Sequence, residues 1–213
     1  MMRGKALRLV RALSTRTAVD VSAARKELEQ LTQNGSPSTA RWLLRELASD
    51  HAGETGAVYI YRGAAAALRI TPDKAAVAFV EDHLRSEEEH LTHMDALLPE
   101  RHQSALLPAW KAAGFALGFL PTAIGGTRWL FSTVQAVETF VEEHYAQQTN
   151  NAELRAACPS LVNLLEQCSA DETHHKEDAA SRTGGLDETM PGKVWALVVD
   201  TGSRAAVTLK RVV

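Results

Sequence analysis

Cysteine is scarce in this 213-residue chain: Cys158 and Cys168 are the only two. That excludes a disulfide scaffold, and their separation fits neither a zinc site nor a rubredoxin module. They read as small packing residues in a reducing setting. Long apolar runs are missing too. The nearest, Ala112–Gly125, is interrupted by Gly114, Gly118 and Pro121, and it falls short of the roughly 20 apolar residues of a spanning helix. Charge of one sign is not in excess: the formal net charge is −3, which gives no reason to expect a nucleic-acid partner. Alternating strand-like stretches are absent as well. What is there, 45% hydrophobic and 23% charged residues, suits one soluble or peripheral domain.

The charge is unevenly spread. Arg3, Lys5, Arg8, Arg11 and Arg16 precede the first acidic residue, Asp20. This acid-poor start resembles a mitochondrial presequence and reads equally as a basic segment touching anionic lipid. Residues 1–37, with a short amphipathic helix at Ser22–Leu31 closed by Asn34-Gly35-Ser36-Pro37, are expected to form a basic N-terminal segment. Residues 38–213 form the main domain.

The pattern there is helical almost throughout, so the class is all-α. One long helix is expected over Ser38–Arg69. Thr71-Pro72-Asp73 supplies an N-cap, a proline at the first helical position and an acidic first turn, starting a second helix that reaches about Leu98. Residues 99–121, bounded by Pro99, Pro108 and Pro121, break the regular pattern. A third helix is expected over Thr122–Gln148 and a fourth from Pro159 to about Ala180. Ser181–Pro191 reads as a loop, and Lys193–Val213 as a last amphipathic helix with a basic end.

Four pieces on these helices carry chemistry: Glu54, then Glu87-x-x-His90, then Glu138, then Glu172-x-x-His175. Residues three apart share a helix face, so each Glu-x-x-His can bind one metal side by side. A lone Glu-x-x-His is common on charged helices. The order Glu, Glu-x-x-His, Glu, Glu-x-x-His is the inward ligand pattern of ferritin-like di-iron four-helix bundles. Spacing agrees: 33 residues separate Glu54 from Glu87, and 34 separate Glu138 from Glu172. At about 1.5 Å per residue, a hairpin turning near Thr71 returns the first pair to one height. The second hairpin does so if its turn begins near Thr149–Asn151. Four carboxylates and two imidazoles suit iron or manganese, and six such residues inside a bundle need a metal to offset their burial. His51, Asp171, Glu142 and His144 are candidates for supporting the site. His83, His93 and His102 have no matched partner and are expected at the surface, as are Glu88 and Glu89.

These residues also resemble the demethoxyubiquinone hydroxylases of ubiquinone biosynthesis. The resemblance runs through Asp50-His51-Ala52-Gly53-Glu54 with Gly56-Ala57 and Ile60-Tyr61, Glu87-x-x-His90-Leu91 and Leu106-Leu107-Pro108-x-Trp110. It continues in Ala113-Gly114-Phe115, Ala136-Val137-Glu138, His144-Tyr145, Asp171-Glu172-x-x-His175, Gly202-Ser203 and Lys210-Arg211, and covers about residues 45–213. Thr55 departs from the family's usual aromatic residue. The resemblance implies a di-iron monooxygenase that hydroxylates the ring of a demethoxylated polyprenyl quinol with dioxygen. Glu54, Glu87, His90, Glu138, Glu172 and His175 would hold two iron ions, served by a reductant for which NADH is a candidate.

An insoluble tail must be collected from a bilayer, so the apolar Ala112–Leu120 stretch, with Trp110 and Trp129 near its ends, is expected as an interfacial insertion between the hairpins. A core-packing connection or an oligomer contact is the alternative. Small residues (Gly53, Gly56, Ala57, Gly63–Ala67) would let helices approach closely. The expected place is peripheral, on the cytoplasmic face of a bacterial inner membrane or the matrix face of the mitochondrial one. A homo-oligomer and other ubiquinone-biosynthesis proteins are candidate partners. Competing functions for the same ligand pattern are a quinol oxidase or peroxidase, a ferritin-like iron store, and a lipid-binding scaffold without iron.

Overall fold

A computed structural model describes residues 21–212. The basic run Arg3–Arg16 lies outside the described residues, as do the side chains of Lys210 and Arg211. Among the described residues there are eight α-helices and no strand. They are α1 Val21–Asn34, α2 Pro37–Leu68, α3 Lys74–Leu97, α4 Leu107–Gly125, α5 Thr127–Thr149, α6 Ala152–Ala157, α7 Pro159–Arg182 and α8 Met190–Val212. Short 3₁₀ turns at Glu100–His102 and Leu186–Glu188 join α3 to α4 and α7 to α8.

Helices α2, α3, α5 and α7 form the four-helix bundle as two hairpins. In the first, α2 starts from Ser36, whose hydroxyl accepts from the Thr39 amide, with Pro37 opening the helix. The second helix differs from expectation at its start. Its cap is Asp73, which accepts from the amides of Ala75 and Ala76 at 2.9 Å each, so Thr71 and Pro72 remain in the turn. A carboxylate satisfies two orphaned N–H groups where a threonine hydroxyl would satisfy one. The second hairpin turns at Asn150–Asn151. There Asn151 caps α6 through the Leu154 amide, and α7 starts at Pro159.

The segment over residues 99–121 is more regular than the prolines suggest. Helix α4 runs without interruption from Leu107 to Gly125, through Pro121. The stop is Gly126 at φ 78°, a conformation in which a Cβ is unfavourable. Helix α4 packs chiefly against α2, and the two backbones come unusually close. A Cβ on Gly118 would lie 1.8 Å from the Ile60 carbonyl oxygen, and one on Gly114 2.4 Å from that of Gly56. Helix α8 lies along α5, fastened where the Trp195 indole N–H donates to Thr133 Oγ1 at 2.9 Å. Helix α1 covers the far end of the bundle, burying Ala24, Leu28 and Leu31 with Leu43, Leu47 and Leu161. No helix among the described residues is long and apolar enough to cross a membrane.

Candidate metal centre

On α3 the buried positions are Ala76, Phe79, Val80, His83, Glu87, His90, Met94 and Leu97, an i, i+3/i+4 stripe facing the bundle. Mid-stripe, the charged residues replace apolar ones, and they do so at one level on all four helices. Glu54 comes from α2, Glu87 and His90 from α3, Glu138 from α5, and Glu172 and His175 from α7. All six are between 1% and 4% exposed.

Two overlapping groups emerge. Glu54, Glu87, His90 and Glu172 each present one ligand atom within 4.8 Å of the others, and so do Glu87, Glu138, Glu172 and His175. Glu87 and Glu172 belong to both. His90 Nδ1 lies 2.8 Å from Glu172 Oε1 and 3.7 Å from Glu54 Oε2. His175 Nδ1 lies 3.0 Å from Glu87 Oε1 and 3.1 Å from Glu172 Oε2. Each Glu-x-x-His therefore reaches across to the other hairpin; His90 is 4.0 Å from the Glu87 carboxylate on its own helix.

Several of these atoms are close without being hydrogen-bonded. Both oxygens of Glu87, Glu172 Oε1 and His90 Nδ1 are buried and lack a hydrogen-bond partner. Leaving one buried acceptor unsatisfied costs about 1–3 kcal/mol, and among the described residues no lysine or arginine pairs with the four carboxylates. Burial pushes the carboxyls of Glu54, Glu87 and Glu138 above the usual range, and neighbouring carboxylates add to this. Burial acts the same way on Glu172, but His90 and His175 outweigh it and hold that carboxyl low. Burial opposes charging of the imidazoles, yet Glu172 and Asp171 raise His90 well above its ordinary value. Glu172 and Glu87 push His175 up to about 10. Four buried carboxylates at one level call for compensating positive charge, and the donor set of oxygens and two imidazoles fits iron or manganese.

The surroundings sort the supporting candidates. Asp171 approaches the other nitrogen of His90, Nε2, at 3.3 Å. His144 lies 2.9 Å from Asp50, which also accepts from Gln148 at 2.8 Å. His51 turns away and pairs with Asp95 at 2.9 Å. Glu142 joins α5 to α7 through Lys176 and Thr173. Glu88 and Glu89 are exposed, and His93 and His102 are half-buried.

His83 corrects the expectation of a surface residue. It is 2% exposed, stacked on His175 at 4.2 Å between ring centroids. Tyr61 Oη lies 3.3 Å from its Nδ1, and Asp178 lies 3.4 Å from its Nε2. Burial, with His175 next, depresses it to about 3, so the ring is neutral. Its place four residues before Glu87, on the same face, was the signal available. Tyr145 is the other residue whose part the motif did not reveal: its phenol donates to Glu54 Oε1 at 2.5 Å.

A cavity of about 360 Å³ opens onto this cluster between α2, α4, α5 and α8. Glu54, Glu87, Glu138 and Glu172 line its inner end; its walls are mostly apolar and include Ile60, Leu117, Val137, Val141 and Val199. Asp50, His144 and Tyr145 add a polar patch.

Comparison with known proteins agrees with the motifs. The family model described as "Ubiquinone biosynthesis protein COQ7" matches residues 41–210. The chain is 39% identical over 116 residues to the 3-demethoxyubiquinol 3-hydroxylase of Rhodospirillum rubrum, covering 54% of this chain and 53%, about half, of that protein. It is 36% identical over 165 residues to the NADPH-dependent 3-demethoxyubiquinone 3-hydroxylase, mitochondrial, of Dictyostelium discoideum, covering 75% and 72%. The Caenorhabditis elegans protein of the same name is 27% identical over 187 residues, covering 84% and 96%.

Proposed function

This chain belongs to the ubiquinone biosynthesis protein COQ7 family, and on that premise we propose that it is a di-iron monooxygenase. Its substrate is a demethoxylated polyprenyl quinol, whose ring it hydroxylates with dioxygen in a late step of ubiquinone biosynthesis. The observation that carries this reading is four glutamates and two histidines, all buried, at the inner end of an apolar cavity.

Glu54, Glu87, His90, Glu138, Glu172 and His175 would hold the two iron ions, with Glu87 and Glu172 belonging to both groups of ligand atoms. Iron bound there supplies the binding and reduction of dioxygen. The protein does the rest. Ile60, Leu117, Val137 and Val199 take the ring and the start of its tail and keep water from the reacting carbon. Tyr145 fixes the Glu54 carboxylate through its phenolic proton. Asp50, held by His144 and Gln148, gives the ring hydroxyls a polar edge to meet.

The tail must enter from a bilayer. Leu120 and Ile124 on α4 and Val194 and Leu197 on α8 are exposed apolar residues on the two helices that border the cavity, and they support peripheral attachment. Leu117 instead lines the cavity. The site of such attachment in this reading is the cytoplasmic face of a bacterial inner membrane or the matrix face of the mitochondrial one, and relatives whose names say mitochondrial support the second. The names that specify NADPH support a reduced nicotinamide as electron donor.

The test is turnover of demethoxyubiquinol with isotopically labelled dioxygen by the iron-loaded, reduced protein. One labelled oxygen in the ring is expected. Glu172→Ala should lose both irons and all product, whereas Glu138→Ala should retain one iron. Dioxygen consumption without ring labelling would replace this reading by an oxidase.

A further inference from the structure

The two halves of the centre repeat one motif, but the groups behind their histidines differ. His90 presents Nδ1 to the carboxylates and Nε2 to Asp171, 3.3 Å away. In the repeat, the position before Glu172 is Asp171, whereas the corresponding position before Glu87 is Ser86. His175 also presents Nδ1 to the carboxylates. Among the described residues no carboxylate lies within ion-pair distance of its Nε2. Its ring instead lies against His83, 21° from parallel, and His83 is itself wedged against Phe79 at 4.0 Å and held by Tyr61 and Asp178.

A carboxylate on the far nitrogen of a ligating imidazole fixes its tautomer and raises its basicity. Its loss typically lowers metal affinity about 10- to 100-fold. A stacked ring fixes orientation but adds no negative charge. Two positions that share Glu87 and Glu172 therefore differ in the strength of the imidazole each receives.

We propose that the two metal positions are built unequal: Asp171 makes the Glu54–His90 position the tight one, and His83 positions His175 at a weaker, exchangeable one. This rests on the dimetal reading above. The weaker position is the one that empties first when iron is limiting, so the chain passes through a form with a single metal. Asp171 and His83 act through the histidines they touch and are positioning residues.

Metal-free full-length protein is titrated with Mn(II) alone, with free and bound ion followed by equilibrium dialysis and electron paramagnetic resonance. Two binding steps are expected, separated by about tenfold or more, with an isolated-ion spectrum at one equivalent and a spin-coupled pair only near two. Asp171→Asn, which keeps side-chain shape, should weaken the tighter step by about 10- to 100-fold and leave the weaker within about twofold. His83→Ala should weaken only the second step, and His83→Phe, which retains a flat ring, should restore it. Far-UV circular dichroism confirms that each variant is folded. Two ions bound with indistinguishable constants, or an Asp171→Asn effect shared equally by both steps, would overturn the inference while leaving the dimetal centre intact. Failure to bind any metal would remove that centre and the inference with it.

Discussion

Tyr145 on α5 donates its phenolic proton to Glu54 on α2 across the bundle, at 2.5 Å, and both residues are buried. This bond ties the first hairpin to the second beside the carboxylates and sets which way Glu54 faces. Tyr145→Phe removes only the hydroxyl. The abandoned acceptor should cost about 1–3 kcal/mol, seen as a lowered melting temperature of the metal-free protein. An unchanged melt would mean that Glu54 finds another donor.

Removal of metal should make stability depend on pH in a particular direction. His175 is raised from 6.5 to about 10 in the folded protein, so its contribution is fully present below pH 6.5 and is lost as pH rises toward 10. Glu54, Glu87 and Glu138, raised as well, act in the same sense, favouring the fold while protonated. His83, depressed to about 3, acts oppositely, its contribution being lost as pH falls below 6.5. Metal-free protein should therefore melt at progressively lower temperature between pH 6.5 and 9.5. Iron-loaded protein should not, because the metal replaces those protons. Thermal melts with and without chelator check this; parallel curves would refute it.

Helices α2 and α4 approach through glycines that a methyl group would separate. Gly118→Ala, with its Cβ 1.8 Å from the Ile60 carbonyl oxygen, should destabilise by about 1–3 kcal/mol in denaturant unfolding. Gly53→Ala, on the same α2 helix but with nothing within 4 Å, should be neutral or stabilising by up to about 1 kcal/mol.

Membrane attachment through α4 and α8 predicts that Ile124→Glu with Leu197→Glu, at residues 85% and 64% exposed, reduces co-sedimentation with liposomes severalfold. Activity on a short-tailed soluble quinol should persist. Unchanged sedimentation would assign that face to a protein contact instead.

The order of the candidate ligands, the helical class and the hairpin spacing were all legible in the sequence. A helix repeats every 3.6 residues, so Glu87 and His90, or Glu172 and His175, fall on one face wherever the helix goes. Periodicity within a helix cannot say what meets that face from another. That His90 faces Glu172 and Asp171, that His83 backs His175, and that Tyr145 holds Glu54 follow from the crossing of two hairpins distant in sequence. Pro121 looked like a break from local chemistry, yet α4 passes through it and ends at Gly126. The sequence by itself determined which residues are available to the centre, because local geometry is enough for that. Only the tertiary structure decided which of them fall in both groups, which are backed by charge and which by a ring, because those are contacts between helices.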